Sequence, residues 1–207
     1  MGNKEKLSEQ VVDFLEEFGN IGVGNASTAL SVMLSSKLSI SRPTVAVYDF
    51  NELDTLLGGS ETPVVGVISR IEGELDAMIL FVLGLEDART LVGELMGEQY
   101  KNEWNQEMGI SAIKEICNIM IGSYVSSLET LLGKKIRYQL PLICIDMAAS
   151  ILSVPCVQLS TVSDNALLIN SDFKVGNQSI NGYIMLISDI HSYDEILQQL
   201  GIGGIDG

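Results

Sequence analysis

The chain has 207 residues, 46% of them apolar, with 12 Lys and Arg against 27 Asp and Glu, for a formal charge of −15. That is enough apolar material for one or two compact units with a real core. The charge argues against a nucleic-acid partner, whose phosphates need clustered Lys and Arg, and against an anionic membrane surface. It suits a basic protein partner or plain solubility.

No apolar run reaches the roughly 18 residues needed to span a bilayer, so no membrane insertion is expected. Met1–Lys6 has no apolar signal-peptide core, and Lys6 stands where a myristoylation motif has Ser or Thr. Cys117, Cys144 and Cys156 are odd in number and lack CxxC spacing, so neither a disulfide framework nor a zinc site is signalled. A cytoplasmic protein, a monomer with internal symmetry, is the expectation.

Residues 8–36 read as a long helix with Ser8 as N-cap. At about 100° per residue, Val11, Leu15, Phe18, Gly22, Ala26, Ala29 and Met33 form one stripe, expected to face the core. Asp13, Glu17, Asn20 and Gly24 fall on the opposite side, within roughly 60° of one another. After Pro43, Thr44–Tyr48 reads as a strand and Asn51–Thr62 as a polar connection. Val64–Ile71 and Glu74–Leu83 read as two strands around a Glu72-Gly73 turn, followed by a short helix Glu86–Met96 and a polar link Gly97–Asn105. The order then starts again. Ile110–Leu132 reads as a long helix stopped by Gly133, with strands at Ile136–Met147 (interrupted by Pro141), Val157–Val162, Ala166–Val175 and Ile180–Ile187. A turn at Asn177-Gln178 and a closing helix Ser192–Leu200 complete it.

The second half echoes the first at a fixed distance. Asp13, Glu17, Asn20 and Pro43 recur as Ser111, Glu115, Asn118 and Pro141, each displaced by 98 residues. Aligning 13–43 with 111–141 without a gap gives eight identities, which include Glu17, Asn20, Gly24 and Pro43. The expectation is an internally duplicated α+β fold: two helix–strand–hairpin–helix units, about 8–100 and 106–201, related by a pseudo-two-fold axis. A largely antiparallel sheet would pack against the long helices, the two units forming a single domain over 1–207.

A polar row opposite an apolar stripe is ordinary for a surface helix. Here, however, Asn and Gly, both weak helix formers, occupy matching positions twice. Neither Glu nor Asn is a nucleophile of the kind a self-contained hydrolase needs. An Asn amide offers two donors and an acceptor, and an exposed Glu offers an acceptor for a cation. Such a pair can orient a water and dock on a positive group while electrophile and metal come from elsewhere. Phosphoryl transfer suits it, because catalysis there is mostly alignment and charge stabilisation. Gly24 and Gly122 would let a partner backbone approach.

The pattern Asp/Ser-x3-Glu-x2-Asn-x22-Pro resembles that of the CheC/CheX/FliY family of chemotaxis phosphatases. The words Gly19–Ala26 and Ile116–Tyr124 are similar to its CheC branch in particular, over the whole length of the chain. Cys117 stands where the first copy has Gly19, and Ser111 replaces Asp13, as the pattern allows. The resemblance implies an enzyme acting on the aspartyl phosphate of phosphorylated CheY, a response regulator bringing its own Mg²⁺ and Lys, with no cofactor held by this chain. It implies that Asn20 or Asn118 positions the attacking water, that Glu17 or Glu115 pairs with the regulator's Lys, and that Pro43 and Pro141 shape the chain after the helix. It also implies a partnership with the receptor deamidase CheD, with Asp146 on the docking surface. A FliY- or FliM-like switch component is a further alternative; FliY would carry a C-terminal switch domain, and FliM-type domains lack the Glu/Asn pairs.

Other motifs carry less. Gly22–Ser27 resembles a truncated GxGxxG but sits in a helix with no strand before it. His191 is the single histidine, which excludes His-based triads and multi-His metal sites. Asp49, Glu52 and Asp54 lack EF-hand spacing. Cys144 and Cys156 read as core thiols, and Met78, Met96, Met120, Met147 and Met185 as packing residues.

Overall fold

The structure, a computed structural model, describes residues 9–34, 38–40, 44–73, 75–159, 165–175, 178–188 and 198. Among the described residues, five α-helices and eight strands follow one another: α1 Glu9–Leu34, β1 Leu38–Ile40, β2 Thr44–Asp49, α2 Leu53–Leu56, β3 Pro63–Gly73, β4 Ala77–Gly84, α3 Leu85–Met96, α4 Glu107–Leu132, β5 Ile136–Tyr138, β6 Leu142–Met147, α5 Ala148–Gln158, β7 Asn165–Val175 and β8 Gln178–Ser188. From α1 to β2 every boundary recurs 98 residues later, in α4, β5 and β6. Beyond Met147 the displacement grows to 102, Pro63 of β3 answering to Asn165 of β7. The extra residues therefore lie in and after α5, ahead of the second hairpin.

All strands join one antiparallel sheet in the order β1-β7-β8-β4-β3-β5, with β2 also on β7 and β6 also on β3. The order is symmetric about the β4–β8 pair. Each half lends its hairpin to the other: β3 takes β5 and β6, and β7 takes β1 and β2. This is the duplicated, pseudo-two-fold α+β architecture. A bulge breaks the second borrowed strand: Tyr138 pairs with Ile71 and Leu142 with Ile68, so three residues face two. Pro141, buried, is the last of its three; lacking an N–H, it cannot pair in a ladder. The Gln139 carbonyl accepts from the Ser69 hydroxyl at 2.7 Å, which holds the bulge.

The central strands are covered on both faces and read as apolar runs. Alternate residues part to opposite sides. Val65, Val67, Ile79 and Phe81 join a core with α1, α3 and α4, while Val64, Ile68, Met78 and Leu80 join another with α2 and α5. Each fully buried aliphatic or aromatic side chain there contributes about 1.5–3 kcal/mol.

Several expectations are corrected. The expected strand Val157–Val162 is helical where it begins, α5 running through Gln158, and its residues 160–162 lie outside the described residues. An apolar run of this length fits a buried helix as well as a strand, and α5 packs Ala148, Ile151 and Leu152 under the sheet. Cys144, on the edge strand β6, and Cys156, on the outer side of α5, are exposed rather than core thiols; Cys117 is the buried one. Met147 is exposed, Gly22 and Ala26 are buried as expected, and Leu30 is buried in place of Ala29, which is exposed. Strand β1 and the helical turns within the Asn51–Thr62 and Gly97–Asn105 connections were not anticipated. Gly133 ends α4 in the left-handed conformation, φ +63, as expected. Pro43, His191, Asn177 and all of the closing helix Ser192–Leu200 but Gln198 lie outside the described residues.

Candidate active site

Two long helices carry the two rows. On α1, Glu17 and Gly24 are exposed and Asn20 is half-buried. On α4, Ser111 and Glu115 are exposed while Asn118 and Gly122 are half-buried. Residues three apart on a helix are neighbours, with Cβ atoms about 5–6 Å apart, so each Glu stands beside its Asn. The other side of each helix is spent on the core: Ala26 and Leu30 from α1, and Ile113, Ile116, Met120 and Tyr124 from α4. Asp13 belongs to α1 by its backbone, its side chain lying outside the described residues.

The residue before each Asn points inward. Gly19 is buried, and Cys117 is fully so. Burial pushes the Cys117 thiol well above its ordinary range, so it is no nucleophile despite its place beside Asn118. The two helices meet where Gly22 faces the Tyr124 ring; a Cβ on Gly22 would come within 2.5 Å of two ring carbons. This close seat fixes which face of α1 is left for the Glu/Asn row.

The two rows differ in their surroundings. A Cβ on Gly24 would meet no described atom within 4 Å. A Cβ on Gly122 would lie 2.8 Å from the Tyr138 hydroxyl. Among the described residues, the room expected beside both glycines is thus open at Gly24 and taken at Gly122. Strand periodicity explains why: Ile136 of β5 is buried in the core shared with α4, and Tyr138, two residues on, faces the same side. Asn118 differs too, its Oδ1 being buried with no hydrogen-bond partner among the described residues. A lone Tyr three residues before Pro141 is a faint signal in sequence, and only the strand–helix packing gives it a place.

Little else gathers chemistry. Among the described residues no three His, Cys, Asp or Glu side chains come together as a metal-binding group. An open cleft around Arg70, Glu72, Asp76 and Gln139 has its cation engaged, Arg70 donating to Asp76 and to the Gln158 carbonyl, each at 2.7 Å. Along β5, β6 and the bulge between them lies an exposed strip of Leu140, Leu142, Ile145 and Met147, with Asp146 exposed among them. The Asp146 carboxylate accepts from the Met147 N–H at 2.7 Å. Among the described residues, no helix is long and apolar enough to cross a membrane.

Comparison with known proteins follows the same two helices. The sequence model of the CheC-like family matches residues 12–47 and 108–138, the two stretches that hold the rows. The chain is 26% identical over 200 residues to the CheY-P phosphatase CheC of Bacillus subtilis, covering 94% of this chain and 96% of that protein. Among solved structures, Thermotoga maritima FliY superposes with a TM-score of 0.71 at 23% identity, over 95% of this chain and 98% of that one. A chain of the CheX–CheY–BeF3–Mg²⁺ complex from Borrelia burgdorferi does so at 0.50 and 18% identity, over 86% of this chain and 99% of that one. Both structures share the fold. The pattern of the CheC-like family is thus matched in both halves, and similarity to a CheC runs through nearly the whole length of the chain.

Proposed function

We propose that this protein hydrolyses the aspartyl phosphate of a CheY-type response regulator. The observation that carries this reading is the paired row: Glu17 with Asn20 and Glu115 with Asn118, each at an outward position of a helix whose other side is buried. The similarity to a CheY-P phosphatase supports the reaction class. In this reading the Asn amide enters the regulator's active site and aligns a water with phosphorus. The Glu carboxylate accepts from a regulator Lys and sets the helix in register. The Mg²⁺ is the regulator's own, and Pro43 and Pro141 shape the chain that follows each helix.

The test is loss of acyl phosphate from the regulator with Asn20→Ala, Asn118→Ala and both together. If water alignment is the main contribution, each loss lowers its own site by about 10²-fold, and the double variant is close to the regulator alone. Near-normal hydrolysis by the double variant would sink the proposal.

A second reading, a regulatory partner of a CheD-type deamidase, is favoured by the exposed apolar strip around Asp146. Asp146→Lys is then expected to weaken association with CheD, measured by calorimetry, while the free protein hydrolyses as before. Unchanged affinity would remove Asp146 from that surface.

A further inference from the structure

We infer that Tyr138 is a specificity-determining residue of the Glu115/Asn118 site, narrowing what can dock there and leaving the Glu17/Asn20 site open. This rests on the phosphatase reading above. The sequence makes the two rows look alike, with Glu, Asn and Gly at the same spacing. The structure sets them apart at the glycine, one turn beyond the Asn. Above Gly24 no described atom lies within 4 Å of where a Cβ would stand. Above Gly122 the Tyr138 hydroxyl stands 2.8 Å from that point, its ring carbon Cζ at 3.7 Å.

The contact is built by the fold. Tyr138 is the last residue of β5, paired with Ile71 immediately before the bulge. Buried Ile136 anchors the strand, and the Ile136 N–H donates to the Glu129 carboxylate of α4 at 2.8 Å. The ring thus leans over α4 from a fixed strand, with Tyr138 as a whole 37% exposed. The corresponding position of the first half is Ile40, which has no hydroxyl.

A regulator pressing its active site onto Asn118 meets the phenol, where one docking on Asn20 meets no described side chain above Gly24. It must leave space for the ring or displace it. The hydroxyl is the far end of a partly exposed side chain and can swing aside, so relief at this position is worth about twofold to fivefold in apparent affinity.

The experiment measures KM and kcat for the phosphorylated regulator in two backgrounds, Asn20→Ala, which leaves the second site, and Asn118→Ala, which leaves the first. In the Asn20→Ala background, Tyr138→Ala is expected to lower KM about twofold to fivefold with kcat little changed. Tyr138→Phe, which removes only the close-lying oxygen, gives part of that gain. In the Asn118→Ala background neither change alters KM. A KM that stays or rises in the Asn20→Ala background overturns the inference, as does an equal shift in both backgrounds, which would mark a general effect on folding. If neither background hydrolyses acyl phosphate, the functional reading falls and this inference with it. Hydrolysis that persists without the Tyr138 effect removes the inference alone.

Discussion

At the scale of single residues, glycine shows how one amino acid serves opposite ends on one helix. Gly22 is buried, and its missing Cβ admits the Tyr124 ring; Gly24 is exposed with open space above it. Gly22→Ala therefore forces an ordered, buried ring to move and is expected to cost about 1–3 kcal/mol. Gly24→Ala meets no obstruction and should stabilise the helix by about 0.5–1 kcal/mol. Urea midpoints of the two variants check the opposite signs. The same Gly24→Ala methyl would stand beside Asn20, so hydrolysis in an Asn118→Ala background is expected to fall even as stability rises. Sequence periodicity alone placed these two glycines on opposite faces. It gave no means of telling Gly24 from Gly122, because that difference comes from Tyr138, 16 residues further along the chain.

At the scale of elements, helices and central strands were legible because their patterns are long and one-sided or strongly apolar. The α1 and α4 rows, the αL stop at Gly133 and the β3–β4 hairpin all follow from local chemistry. The hairpin turn is wider than a Glu72-Gly73 pair, since the ladder closes at Ile71 and Ala77 and leaves five residues between. Arg70 and Asp76, paired at 2.7 Å, flank it. The misreading of α5 has a local cause. Its sequence is apolar with little polar alternation and carries Pro155, so neither helical nor strand period stands out. The helix is settled by packing, with Ala148, Ile151 and Leu152 filling the space beneath β3 and β4. Edge strand β6 fails in the other way: it reads as apolar and is mostly exposed, which is why Cys144 and Met147 face solvent.

At the scale of the molecule, the halves are exchanged rather than side by side. β3 and β4 of the first half pair with β5, β6 and β8 of the second, while β1 and β2 pair with β7. A half alone would leave the edges of its hairpin unpaired and one core without its second long helix. Residues 1–105 and 106–207 expressed separately are thus expected to lack dispersed amide resonances. Mixing them should restore a native-like spectrum. A well-dispersed spectrum from 1–105 alone would show that the unit folds without its partner strands.

What the sequence by itself determined is the local and the repeated. Helical periodicity set the Glu17/Asn20 and Glu115/Asn118 rows opposite the core, and the 98-residue echo marked two copies. Those features depend only on neighbours along the chain, where spacing is geometry. The strand exchange, the exposure of Cys144 and Cys156 and the phenol over Gly122 belong to the tertiary structure. Each depends on segments far apart in sequence meeting across a sheet or a helix, and identical local patterns can meet different neighbours. The duplication made two similar rows, and packing made them different.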